Sequence, residues 1–411
     1  MQYLDTRDLL NLCRTSWATR LDIKTNSWNI NDRLLHFFKN PMAFRSHLGR
    51  TNALISGSFA LQFFERVTWP ESDLDILVEE GDGLEEMKKY LTESEGYTKV
   101  PQPESTSEIE VEVGEEQGDY EGFYSGNIKE CQTYLLPHKD PNTGNVTRRK
   151  VQLVITSGLP VQVILCHYYT TAVTNFISWD KAYSIFPRAT FLLHETVPLK
   201  PVDDAFGRLH AKYSQRGWRM RTEPVPFSHE GDLHASGNRR QPLGDVSKYG
   251  GYRRIGDRDS WVMRLGDTAG IEGSSHFVPD FVLEYSGFQI RGVPEGFQDF
   301  ASMADWDSVR RALCVTIRAT IFQSPVLRHQ YLEGFHALWR EIRTLTTQDT
   351  IGQLCKFSSS RLDALVAGRP PVTLDHNGLN AISFDHPLGW DYMDDAIPRL
   401  YDEWESQGRL S

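Results

Sequence analysis

Two aspartates one residue apart, Asp73 and Asp75, stand in the run SDLDILV at residues 72–78. In a strand, side chains alternate between faces, so both carboxylates point one way and Leu74 and Ile76 the other. Two carboxylates on one face repel each other unless a cation lies between them. A hard divalent ion such as Mg²⁺ suits oxygen ligands and keeps waters that triphosphate oxygens can replace. Such an ion can neutralise the charge of an in-line phosphoryl displacement. Upstream lies the pair Gly57-Ser58. Glycine lets the backbone bend tightly and lets a phosphate come close. A helix starting just after it turns its positive end to the same place, where Ser58 adds a hydroxyl and an N–H.

These residues must be positioned by strand, turn, helix, turn and strand in that order. The pattern predicts a strand over 52–55, the turn 56–58, a helix over 59–66, a second turn at 70–72 and a strand over 73–78. An amphipathic helix over 83–94 follows. A hairpin is expected from 131–136 and 149–156, because Asp140-Pro141-Asn142-Thr143-Gly144 between apolar runs favours chain reversal. Pro160 opens a helix over 161–165, and 203–216 reads as a polar helix. The expected fold is α/β (α+β): a mixed sheet flanked by helices, then a largely helical C-terminal region. The expected divisions are a helical segment at 1–28, the core at 29–216 with an acidic insertion at 101–127, a Gly/Arg-rich irregular insertion at 217–300, and a helical region at 301–411. That last region includes helices over 306–322 and 326–345.

Composition excludes several classes. The 411 residues carry a net charge of -11, which argues against a general nucleic-acid coat protein. Cys13, Cys131, Cys166, Cys314 and Cys355 form no C-x-x-C pair and read as reduced thiols in a cytoplasmic or nuclear protein. No apolar run has the length of a membrane span, and Asp5, Arg7 and Asp8 speak against a secretory leader.

The segment ISGSFALQFFERVTWPESDLDILV resembles the Gly-Ser … D-x-D signature of the DNA polymerase β-like nucleotidyltransferase superfamily. Together with KVQLVIT and NFISWDKAYSIFPRATF, it looks like a group of fungal proteins that pair an F-box-like N-terminus with such a core. The resemblance covers residues 1–200. It implies a Mg²⁺-dependent transferase in which Asp73 and Asp75 hold the metal and act in catalysis, and Gly57 and Ser58 hold a nucleoside triphosphate. The acceptor could be a protein, an RNA or a small molecule. Active members usually carry a third carboxylate on a later strand, here expected over 149–156. Alternation puts Val151, Leu153 and Ile155 in the core and leaves Gln152 where the third acid belongs. An amide cannot act as a general base near pH 7, so nucleotide binding survives this departure better than transfer does.

LDTRDLLNLCRTSWATR at the N-terminus resembles the second half of an F-box motif, with Met1 where the middle of that motif would stand. This implies the alternative of an inactive scaffold that recruits a ubiquitin-ligase adaptor. In SWDKAYSIFPRAT, Lys181 is a candidate to offset triphosphate charge, beside Asp180, Tyr183 and Arg188. Arg239, Arg240, Lys248, Arg253 and Arg254, with Tyr249 and Tyr252 between them, could grip RNA phosphates and stack on bases, or form a solvated loop. The histidines have no ligand-like spacing.

Overall fold

The computed structural model describes residues 6–12, 16, 27–69, 72–101, 127–139, 146–200, 204–221, 251–266, 268–291, 315–356, 386 and 389–410. The chain divides into two compact units. The first comprises residues 1–250, 258–278 and 291–317, and the second 251–257, 279–290 and 318–411.

Among the described residues the first unit begins with the helices α1 (Thr6–Leu12), α2 (Ile30–Leu34) and α3 (Pro41–Thr51). Asn29 and Asn40 cap α2 and α3, each side-chain oxygen accepting from two N–H groups of the first turn. Pro41 sits at the first turn of α3, where no N–H is needed. Then come β1 (Leu54–Ser56), α4 (Gly57–Glu65), β2 (Leu74–Glu79) and α5 (Asp82–Lys89), which continues as a π-helical turn over Tyr90–Glu95. All nine residues of α4 are buried, as its all-round apolar sequence requires.

After β3 (Thr98–Lys99) the long hairpin β4 (Ile128–Lys139) and β5 (Val146–Thr156) follows, then α6 (Pro160–His167), β6 (Asn175–Ile177) and β7 (Lys181–Ser184). A two-strand parallel ladder joins β8 (Glu195–Thr196) to β9 (Arg219–Met220), with α7 (Asp204–Gln215) between them in sequence. In the second unit, β10 (Gly251–Arg254) pairs with a later strand, β12 (Gly287–Arg291); β11 (Trp261–Arg264) belongs to the first unit.

The main sheet has eight strands among the described residues, in the order β11-β7-β6-β1-β2-β5-β4-β3. Its centre is the antiparallel pair β1–β2 and the parallel pair β2–β5. Leu74, Ile76, Val78, Val151, Leu153 and Ile155 are all buried, which fixes the register by their shared apolar face. Helices α4 and α6 pack against β1 and β2.

The second unit contains α8 (Asp280–Glu284), β12 (Gly287–Arg291), the hairpin strands β14 (Thr320–Phe322) and β15 (Tyr331–Glu333), and the helices α9 (Ala337–Leu354) and α10 (Ala396–Ser406). Its core contains Trp339 and Tyr401, with Trp339 Nε1–H donating to Tyr252 Oη at 3.0 Å.

Two expectations are corrected. The irregular insertion at 217–300 holds β9, β10, β11, α8 and β12, and β11 is an edge strand of the main sheet. The helices expected over 306–322 and 326–345 are replaced at 316–333 by β13 (Thr316–Arg318), β14 and β15; α9 starts only at Ala337. The reason is a period of two: Val315, Ile317 and Ala319 are buried in alternation, and β-branched residues fill the run. The mixed α/β class stands. No helix among the described residues is long and apolar enough to cross a membrane. The acidic stretch 102–126 and the residues Cys13, His229, His234, Arg239, Arg240, Lys248, Tyr249 and Cys314 lie outside the described residues.

Candidate functional site

The site grows from the crossing of β1, β2 and β5. Ser56, the last residue of β1, stands opposite Asp75, and Asp75 stands beside Gln152. Residues facing each other in register share a sheet face, so Ser56, Asp75 and Gln152 form one row across three strands. Asp73 lies two residues before Asp75, and Lys150 two before Gln152. Alternation puts both on the same face, and they meet: Lys150 Nζ lies 2.6 Å from Asp73 Oδ2. Thr133 of β4 continues the row beyond Gln152.

Gly57 follows Ser56 at the start of α4 with φ +64°, a left-handed conformation that glycine adopts without strain. This lets the chain leave β1 and enter α4 with no spacer. Ser58 follows in the first turn and is 7% exposed. One helical turn later Gln62 ties the site together. Its Nε2 donates to Ser58 O at 3.1 Å and to Ser72 Oγ at 2.6 Å, while its Oε1 accepts from Trp69 N–H at 2.7 Å. The α4–β2 connection is thus fastened to the helix that carries Gly57-Ser58, immediately before Asp73.

Gln152 Nε2 lies 3.8 Å from Cys131 Sγ. Burial first, and then the charge of Asp75, push the Cys131 thiol up to about 12. It stays protonated at neutral pH and is no nucleophile. Cys131, Cys166 and Cys355 are all free thiols.

Gly57, Ser58, Asp73, Asp75 and Gln152 are brought together as their spacing suggested. Lys181 is not among them. It is buried on β7, three strands from β2, and its row in the sheet is that of Leu77. At strand spacings of 4.8 Å its backbone is about 15 Å from Asp75. Asp180 accepts from Ser178 Oγ and Tyr183 is buried, so this segment serves the core.

The described part of the basic-aromatic patch is likewise internal. Tyr252 is hydrogen-bonded to Tyr401, Arg253 is 5% exposed on Asp257, and Arg254 lies over the Tyr285 ring at 4.7 Å. Lys150, Gln62 and Cys131 were missed by sequence reasoning. Lys150 was legible, since it precedes Gln152 by the same two-residue step that joins Asp73 to Asp75.

The donor set does not fit a Mg²⁺ held by three acids. The residue beside Asp75 on β5 is the amide Gln152, Asp73 already holds an ammonium, and no group of three or more His, Cys, Asp or Glu side chains is gathered as for a metal among the described residues. No protein-family model, curated protein or solved structure matches the chain.

Proposed function

We propose that the first unit is a nucleotidyltransferase-type module kept for binding a nucleoside triphosphate rather than for transferring it. The observation that carries this reading is the row Ser56–Asp75–Gln152. It joins a phosphate-directed glycine turn to an acidic strand, and it has an amide where transfer chemistry needs a base. Backbone N–H groups at the start of α4 supply anion affinity, the Gln152 amide can donate to a phosphate oxygen, and Asp75 can accept from a ribose hydroxyl.

The test is isothermal titration with each of the four nucleoside triphosphates, with and without Mg²⁺, beside the Asp73→Asn/Asp75→Asn variant and Gly57→Val. Binding of at least one nucleotide, lost in Gly57→Val, with no product on prolonged incubation, is expected. Turnover would overturn the non-transferring part of the proposal. Absence of binding would favour a second reading, an interaction scaffold, for which the burial of Ser58 already speaks. An adaptor-binding role for α1 is a further form of that reading, and pull-down with purified adaptor would test it.

A further inference from the structure

Two aspartates on one strand face repel each other, and a cation beside them relieves that repulsion. Here the protein carries one of its own. Lys150 projects from β5, an interior strand of the sheet, and its ammonium rests on Asp73 at 2.6 Å. The register explains why this is built in. Leu74 pairs with Val151 and Asp75 with Gln152, so Lys150 falls beside Asp73 on the same face by the next step of the ladder. Arg148, two residues earlier on β5, shares that face by alternation and is exposed. Asp73 thus has a cation supplied by the chain itself.

We infer that Lys150 is the resident counter-ion of the Asp73–Asp75 pair, standing where a divalent metal would otherwise sit, so that the site takes a polyphosphate without metal.

A lysine ammonium has three donors. One is used on Asp73, and the others are left for an incoming phosphate oxygen. The pair is only half-buried, with side chains 37% and 31% exposed, so the ammonium can swing toward a ligand without leaving a desolvated carboxylate behind. A divalent ion entering the same place would have to strip Asp73 from Lys150 and remain beside a like charge. Gln152 adds no negative charge to help it. The metal-binding part of this inference stands on the ion pair alone. The polyphosphate part rests on the proposed nucleotide reading.

Two measurements on the full chain separate those parts. The first uses Mn²⁺ alone, followed by the electron paramagnetic resonance of the free ion. Wild type should bind weakly, Lys150→Met about tenfold more tightly, and Lys150→Arg like wild type; the gain should vanish in Lys150→Met/Asp73→Asn. Should Lys150→Met bind Mn²⁺ no better than wild type, the counter-ion assignment is overturned, whatever nucleotides do.

The second titrates inorganic triphosphate and ATP in EDTA and in Mg²⁺. Wild type and Lys150→Arg should bind equally in both media, within about twofold. Lys150→Met should lose about tenfold in EDTA and recover with Mg²⁺. Wild-type binding that requires Mg²⁺ overturns the metal-free site. No binding in either medium overturns the nucleotide reading and leaves the counter-ion to be decided by Mn²⁺. Lys150→Arg retains the charge, so its behaviour separates loss of charge from loss of fold.

Discussion

Each of the two units holds a close basic–acidic pair, and the two pairs are made differently. In the second unit Arg253 grips Asp257 with two bonds of 2.8 Å, from Nε and from a terminal nitrogen, and the partners are 4% and 17% exposed. In the first, Lys150 touches Asp73 by one atom pair, with both side chains about one-third exposed. The Arg253–Asp257 pair is fixed by geometry and desolvation, because either charge alone would be stranded away from water. The Lys150–Asp73 pair loses little when it opens. The proposed ligand role falls on the pair that can open, and the closed pair serves as its structural control.

The largest expected effect tests the fixed pair. Arg253→Ala should destabilise the second unit by about 3–5 kcal/mol, read from urea unfolding by tryptophan fluorescence. A loss below about 1 kcal/mol would erase the contrast between the pairs.

The same cost of burying charge applies to His167, a neutral case. Burial, aided by Lys200, lowers its pKa to about 4. Between pH 6.5 and about 4 the unfolded chain is protonated there and the folded chain is not, so stability falls as pH falls through that window. The size is on the order of 3 kcal/mol, and His167→Leu should flatten this part of the stability–pH curve.

Next comes Gln62→Ala, which strips three hydrogen bonds from a buried amide and should cost about 2 kcal/mol in thermal unfolding. It should also weaken nucleotide binding, because the loop before Asp73 loses its tether. Gly57→Ala, forcing a side chain into φ +64°, should cost about 1–2 kcal/mol. The smallest change in stability belongs to Lys150→Ala, within about 1 kcal/mol and fading further in high salt, although it should weaken metal-free ligand binding about tenfold. A large stability loss in Lys150→Ala would make the two pairs alike and remove the argument for an exchangeable one.

The site half of the fold was legible because every part of it is local. Strand, turn, helix and strand follow one another in residues 54–79, within a residue or two of the pattern. Gln152 could be placed because alternation in a buried strand leaves no freedom. What escaped depended on distant partners. The basic charge of Arg253 and Arg254 suggests an exposed patch until Asp257, Tyr285 and Tyr401 are seen beside them. Residues 316–333 contain apolar residues at spacings that suit either period, and only their pairing as strands decides between them. Lys181 was a candidate on its charge, yet its strand stands three places away from the acids.

The main sheet is closed on one side by β11, whose Arg264 pairs with Lys181 of β7. The chain must therefore be made well beyond the site before that edge is covered. At ribosomal rates of about 5–20 residues per second, the unpaired flank of β7 waits several seconds for Trp261 to Arg264 to emerge. During that interval it offers a row of open N–H and C=O groups to any neighbouring chain. The fold thus has a vulnerable moment set by its connectivity, and a fragment ending at Gly250 would be held in it permanently.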